Sequence, residues 1–388
     1  MKRVAIFRTD LLAMSETFVR DQASALRGWE PILVGRQELQ GGLTTPGLAR
    51  EVVPEAGSRL RRSLRGRFWG PEPNLVARLK ALHVDLVHVH FGLDATDVWP
   101  SVKAAGLKMV VTLHGTDINV HPWWWEAGHG GPLRRAYPAR LRKMARDPSV
   151  SFIAVSEANR RRAIEAGIPA EKVSVIYTGV DTVRFRPEGA PIADRDNRIL
   201  FVGRMIENKA PTLLARAFAG IAGDVESPRL TMIGGGPELE SVRTIGRDHG
   251  VDIECPGPQA AEVVVQALRE AKLLCLPSRQ IASGAGEGFG QVLLEAQACG
   301  VPVVGSDTGG IPEAMEDGLT GYVFRSSEEE DLRRALLAVL RSGKDRLTDM
   351  SAAGRRLALE RFDLRGTTGK LEQLYDGIVA DRRRQDAR

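Results

Sequence analysis

The chain has 388 residues, 43% of them hydrophobic and 27% charged, and a formal net charge of +5. That length suits two domains of ordinary size, and that balance belongs to a water-soluble globular protein. No apolar run approaches the roughly 20 residues that a membrane-spanning helix needs. The N-terminus has only four apolar residues, Val4 to Phe7, before Arg8, too few for a secretory leader, so it reads as a first strand. Cys255, Cys275 and Cys299 are odd in number and lack metal-type spacing. They are expected to pack as small hydrophobes, with no disulfide framework. The expected location is cytoplasmic, with peripheral contact to the inner face of the cell membrane left open.

In chain order, short β-branched runs alternate with helical patterns, the signature of a parallel sheet flanked by helices. Residues 3–8 predict a strand and 15–26 a helix with Ser15 as its N-cap. Strands are expected at 31–34, 86–90, 109–113, 151–155 and 173–176, with helices at 73–82 and 98–105 and another after Ser156. Two segments are strongly basic. Residues 58–70 carry five arginines among Leu60, Leu64, Phe68 and Trp69, and residues 133–146 carry six cations among Leu133, Tyr137, Leu141 and Met144. Each fits a solvated helix face or an amphipathic helix at a membrane surface. No nucleic-acid module accompanies the charge. Trp123, Trp124 and Trp125 could stack on a sugar, meet a lipid surface or fill a domain contact.

Residues 186–197 are rich in proline, glycine and charge and mark a domain boundary. Strands resume at 199–202, 229–233, 251–254, 273–276 and 301–304. The expected division is an N-terminal domain over 1–190, a C-terminal domain over 191–365, and a last helix, 366–388, packing back on the first domain. Both domains read as Rossmann-like, facing each other across a cleft.

In open α/β sheets ligands bind beyond the carboxyl ends of the strands, and the chemically suggestive residues fall there. His114 follows a strand and could bond a sugar hydroxyl or assist proton transfer. His88 and His90 share one face of a strand and are read as packing groups, since no third metal ligand accompanies them. Arg204 and Lys209 occupy a strand-to-helix loop suited to a diphosphate that needs neutralising. Gly234 and Gly235 lie in a turn without the dinucleotide pattern and are read as allowing a nucleotide to approach. Residues 283–313 hold a glycine-rich loop with Glu287, then a helix from Gln291 with Glu295. Its N-terminal amides and dipole suit an anion. Glu295, inside an apolar helix, is expected to be buried and hydrogen-bonded.

The runs Gly179-Val180-Asp181, Val202-Gly203-Arg204 with Lys209, Ile233 to Pro237, Leu276-Pro277-Ser278, and Glu287-Gly288-Phe289-Gly290 with Glu295 resemble the retaining family-4 glycosyltransferases of GT-B fold. The resemblance covers most of the C-terminal half and, through His114 to Asp117, part of the N-terminal half. It implies a sugar moved from a nucleotide donor to a hydroxyl of a glycan, lipid-linked or small-molecule acceptor, with retention and without metal or other cofactor. It implies that Arg204 and Lys209 bind the diphosphate, that Glu287 meets the transferred sugar, and that Glu295 binds the ribose. Gly234, Gly235, Gly288, Phe289, Gly290 and Gln291 would complete the donor site, and His114 would reach the donor sugar. The Ser15-Glu16-Thr17-Phe18 run resembles an exopolysaccharide and lipopolysaccharide branch; Ser15, Glu16 and Asp117 would stand on the acceptor side. A sugar-nucleotide epimerase of the same fold and a non-catalytic nucleotide-sugar binder are the alternatives.

Overall fold

The protein is described by a computed structural model over residues 1–55 and 70–386, with side chains as far as 380. The first basic segment, 58–70, therefore lies outside the described residues except for Gly70. The chain forms two compact units, Met1–Gly179 together with the C-terminal segment from Leu364, and Val180–Asp363.

The first unit is built on β1 (Lys2–Phe7), β2 (Trp29–Gly35), β3 (Ala49–Val52), β4 (Leu86–His90), β5 (Lys108–Leu113), β6 (Val150–Ala154) and β7 (Val173–Val175). They pair in parallel in the order β3-β2-β1-β4-β5-β6-β7. Such strands are covered on both faces, which explains why Leu86 to His90 and Met109 to Leu113 read as unbroken buried runs. The helices are α1 (Thr17–Ala25), α2 (Pro73–Ala81), α3 (Gly92–Ala104), α4 (Thr116–Asn119), α5 (Pro122–Glu126), α6 (Tyr137–Ala145) and α7 (Glu157–Glu165). Glu16, not Ser15, precedes α1, and no side chain caps it.

In α6 the apolar residues of the second basic segment turn inward: Tyr137, Leu141 and Met144 are buried and only Leu133 remains exposed. The segment keeps its cations but has no apolar helix face left to insert into a lipid surface. Trp125 is likewise buried, its ring 5.3 Å from that of Tyr137, so this tryptophan fills the interior. No helix among the described residues is long and apolar enough to cross a membrane.

The second unit holds β8 (Arg198–Val202), β9 (Arg229–Ile233), β10 (Ile253–Gly257), β11 (Leu273–Leu276), β12 (Val303–Ser306) and β13 (Gly321–Phe324), parallel in the order β10-β9-β8-β11-β12-β13. Its helices are α8 (Pro211–Ile221), α9 (Leu239–His249), α10 (Ala261–Glu270), α11 (Gln291–Ala298), α12 (Glu329–Leu340) and α13 (Lys344–Arg361). Phe201, Leu214, Phe218, Met232 and Leu336 anchor its core. The proline-rich run at 186–197 is a surface segment of this unit, since Ile192 belongs to that core. The break falls earlier, at Gly179, because the Val180 N–H donates to Phe362 O at 2.8 Å and the Thr182 hydroxyl to Asp363 at 2.6 Å.

After Asp363 the chain returns to the first unit as α14 (Leu364–Asp386). Leu371, Tyr375 and Val379 enter the core around Trp29 and Leu33. The Glu372 carboxylate accepts the N–H groups of Arg27 and Gly28 at 2.8 and 2.7 Å, and Asp376 accepts the Trp29 indole N–H at 3.0 Å.

Candidate active site

Both sheets reverse their winding direction once, between β1 and β4 in the first unit and between β8 and β11 in the second. Such switch points leave a crevice at the strand ends where ligands bind in open α/β sheets.

At the second unit's switch point, β8 runs into Gly203-Arg204 and β11 into Pro277-Ser278. Lys209 ends a short 3-10 turn, Glu207–Lys209. Ala210 then adopts a left-handed φ of 47°, and Pro211 opens α8. That conformation is uncommon for a residue with a side chain and stores strain beside Lys209. The Lys209 ammonium forms an ion pair with Glu287 Oε2, which also accepts the Ser278 hydroxyl at 3.1 Å. Ser278 is held in turn by the Ser306 hydroxyl, which donates to its carbonyl. The Glu287 side chain is only 12% exposed. Burial alone would push its pKa up, but the Lys209 charge and hydrogen bond, the Ser278 hydroxyl and the Gly288 N–H outweigh it and hold the carboxyl below its ordinary value. Arg204 is exposed, and its guanidinium forms no ion pair among the described residues.

The glycines here have separate reasons. A Cβ on Gly234 would lie 1.9 Å from Gly203 O, and one on Gly236 would lie 2.3 Å from Met205 O. The close approach expected of a nucleotide at Gly234 is thus made by the chain's own backbone. Gly235 has more room, with Pro258 at 3.4 Å, and its carbonyl accepts the Met205 N–H at 2.8 Å. Gly290 takes a φ of 95° as the N-cap of α11. Phe289 is buried with its ring 5.5 Å from Phe362, and Gln291 is half-buried. Glu295 is half-buried where a buried position was expected, because the apolar side of α11 is formed by Leu293, Leu294, Ala296 and Ala298.

At the first unit's switch point, Arg8 follows β1 and forms ion pairs with Glu16 at 2.6 Å and with Asp94. Its guanidinium lies 4.3 Å from the centre of the Phe91 ring. Phe91, with a φ of 72°, is a second left-handed residue with a side chain, directly after β4. His114 follows β5, and its ring packs on Phe18 and Phe91 at 4.7 and 4.6 Å. His114 Nε2 shares a hydrogen bond of 2.9 Å with His90 Nδ1. His88, on the same strand face, bonds Thr112 Oγ1 at 2.7 Å and the Tyr375 hydroxyl of α14 at 2.5 Å.

Burial lowers the pKa of all three histidines. His88 falls to about 3, and His90 and His114 fall well below the usual value, with the neighbouring histidines and Arg8 adding to the effect. All three are neutral imidazoles at pH 7, so one proton links His90 and His114.

Asp117, expected on the acceptor side, is buried beneath this loop. Its carboxylate accepts the backbone N–H groups of Gly92 and Gly115 at 2.8 Å each and of His114 at 3.1 Å. Burial still raises its pKa despite those donors. It holds the His114 loop and is fully engaged in doing so. Glu16 is engaged with Arg8 and with the Ala13 N–H at 3.3 Å, while Ser15 is exposed. Sequence reasoning missed Arg8, Asp94 and the bond from His90 to His114. The available signal was position, because Arg8, His90 and Phe91 end or follow the two strands that flank the switch point.

Comparison with known proteins accords with this geometry. Residues 184–357 match the family described as "Glycosyl transferases group 1", and residues 16–184 match "Glycosyltransferase Family 4". A GDP-mannose-dependent alpha-(1-6)-phosphatidylinositol monomannoside mannosyltransferase of Mycolicibacterium smegmatis is 30% identical over 79% of this chain and 81% of its own length. A D-inositol 3-phosphate glycosyltransferase of Actinosynnema mirum is 31% identical over 78% and 80%. Among solved structures, HepE of Anabaena in complex with UDP superposes with a TM-score of 0.79 at 18% identity, covering 97% of this chain and all of that one.

Proposed function

We propose, from the premise that this chain belongs to the family-4 glycosyltransferases of GT-B fold and uses a nucleotide-sugar donor, that it transfers a hexose with retention of anomeric configuration. The acceptor we propose is a hydroxyl of a glycan, lipid-linked or small-molecule compound, in cell-surface polysaccharide assembly. One observation carries the reading: at the switch point of the second unit, Glu287 pairs with Lys209 and accepts from Ser278, while Arg204, in the same loop as Lys209, is exposed and forms no ion pair among the described residues.

The chemistry follows from charge. When a nucleoside diphosphate leaves, negative charge grows on its terminal phosphate, and a cation already in place stabilises it without reorganising. Lys209 can bond Glu287 with one of its three donors and keep the others for phosphate. Arg204 adds a planar fork suited to paired phosphate oxygens. These two cations make a metal unnecessary in the reading. Glu287, kept ionised, sits where a transferred sugar would bring its hydroxyls and growing positive charge. The amides at Phe289, Gly290 and Gln291 would bond sugar and phosphate, and Glu295 the ribose. His114, neutral and hydrogen-bonded to His90, would bond a sugar hydroxyl.

GDP-mannose is the first donor to test, because the mycobacterial relative is named for it. The test incubates purified protein with the donor and a panel of inositol-phosphate and mannoside acceptors, reading product and anomer by NMR. Retained anomeric configuration is expected, with transfer lost in Glu287→Gln. Inverted product, or full activity in that variant, would contradict the assignment. Isomerised donor in the absence of acceptor would show an epimerase instead.

A further inference from the structure

The side of the first unit formed by α4, α5, α6 and α7 encloses a half-open cavity of about 100 Å³ that the transfer reading does not use. Ile118, Val120 and Leu141 give it an apolar wall; Trp125, Arg142 and Arg162 supply its donors. Two of those donors are buried and unmet: Trp125 Nε1 and Arg162 Nε have no hydrogen-bond partner among the described residues. Arg162 spends its other nitrogens on Glu165 at 2.7 Å, on Asn119 O at 3.1 Å and on His121 Nδ1 at 3.4 Å, so the Glu165 carboxylate that also lines the cavity is already paired. Arg142 has no hydrogen bond or ion pair among the described residues. Indole and guanidinium groups only donate, so none of the three can satisfy another. Buried donors without acceptors are costly and rare, and here two belong to side chains that line one cavity.

We propose that this cavity binds an organic anion whose carboxylate or phosphate is carried on a short apolar arm. The oxygens accept from Trp125 Nε1, Arg162 Nε and the Arg142 guanidinium, and the arm lies against Ile118, Val120 and Leu141. Since an enclosed apolar cavity of roughly 150 Å³ holds benzene, only the first few carbons of the arm lie inside this smaller one, and a longer arm leaves through its open side. Tyr137 and Asp117 also line the cavity, and the Tyr137 hydroxyl donates to Asp117 O at 2.6 Å. Because Asp117 also holds the His114 loop, an occupant would brace that loop from behind. Such an anion could be a free metabolite or part of a lipid.

The test is an NMR titration of the full chain labelled with ¹⁵N at its indoles, the Trp125 signal being identified by its loss in Trp125→Phe. The probes are hexanoate, hexanol, inorganic phosphate, and vesicles of phosphatidylglycerol in phosphatidylcholine. A saturable downfield shift of the Trp125 N–H is expected with hexanoate, weakened about tenfold or more in Arg162→Gln. Val120→Phe, which fills the cavity, should abolish it, and Leu141→Met, which keeps the wall, should not. A shift with vesicles and none with hexanoate would assign the anion to a lipid. Equal affinity for hexanol or for phosphate would overturn the proposal, and so would no shift with any probe, which leaves the donors to ordered water. The titration contains neither donor nor acceptor sugar, so its failure leaves the transferase reading standing, and the reverse also holds.

Discussion

The six-stranded sheet repeats the order of the first six strands of the seven-stranded one, yet the loops at their switch points carry opposite balances of charge. In the first unit a single cation, Arg8, is divided between two carboxylates, Glu16 and Asp94. In the second, one carboxylate, Glu287, pairs with Lys209, and Arg204 forms no ion pair among the described residues. The Arg8 charge of the first cluster is paired from within, with one carboxylate in excess. The second carries a cation in excess and is where we propose that the diphosphate binds. In that reading the same fold gives two crevices, and side-chain charge decides which one an anionic donor would enter.

The most damaging change to the second cluster should be Lys209→Met. We expect kcat to fall about 10²–10³-fold, the usual loss when one donor to a developing charge is removed. With its largest neutralising partner gone, the Glu287 pKa rises, so the acid limb of the pH–rate profile should move to higher pH. An unmoved limb would separate Glu287 from the reaction.

At the first cluster the corresponding change, Arg8→Met, should act on stability. It strands two carboxylates, and breaking a buried ion pair from one side costs about 3–5 kcal/mol. Urea unfolding should show this as a lower midpoint. An unchanged midpoint would mean that Arg8 is not the keystone of that cluster.

Acid should then find the first unit first. The folded-state pKa of His88 lies at about 3, below its ordinary 6.5, so between those values the unfolded chain binds a proton that the folded chain does not. Each such histidine therefore makes stability rise with pH across that window, by about 1.4 kcal/mol per pH unit. His90 and His114 add in the same sense. The burial-raised carboxyls of Asp94, Asp97 and Asp117 act in the opposite sense. Glu287, with its pKa depressed, contributes stability that is lost only as pH falls through its lowered value. A His88 imidazole that takes up a proton between pH 6.5 and pH 4 in an NMR titration of the folded chain would contradict its neutral, buried state.

The smallest contrast lies within one turn. Gly234→Ala should cost about 1–3 kcal/mol by overpacking against Gly203 O, while Gly235→Ala, with its nearest neighbour at 3.4 Å, should be tolerated. Equal effects at both positions would count against the packing reason given for Gly234.

Much of the second unit was legible in the sequence because its chemistry is local. Arg204 and Lys209 lie five residues apart in one loop, and Glu287, Gly290 and Gln291 lie in another. The strand-loop-helix pattern puts both at strand ends. The parallel strands were legible for a similar reason, since burial on both faces writes continuous apolar runs. The first unit's cluster was hidden because Arg8, His90, Asp94, His114 and Tyr375 meet only through tertiary packing, across more than 360 residues of chain. Asp117 looked like an acceptor-side acid because a sequence cannot show three backbone N–H groups converging on one carboxylate. Ser15 looked like a cap because α1 was expected two residues earlier than it starts. The basic run at 133–146 looked amphipathic for a lipid surface, and it is amphipathic, but toward the protein's own core.

The most direct test of the charge comparison is a calorimetric titration of UDP, GDP and ADP into the wild-type chain, Arg204→Met and Arg8→Met, each at two salt concentrations. The account predicts salt-sensitive binding of one nucleotide, about tenfold or more weaker in Arg204→Met and unchanged in folded Arg8→Met. Equal losses in both variants, or none in Arg204→Met, would contradict it.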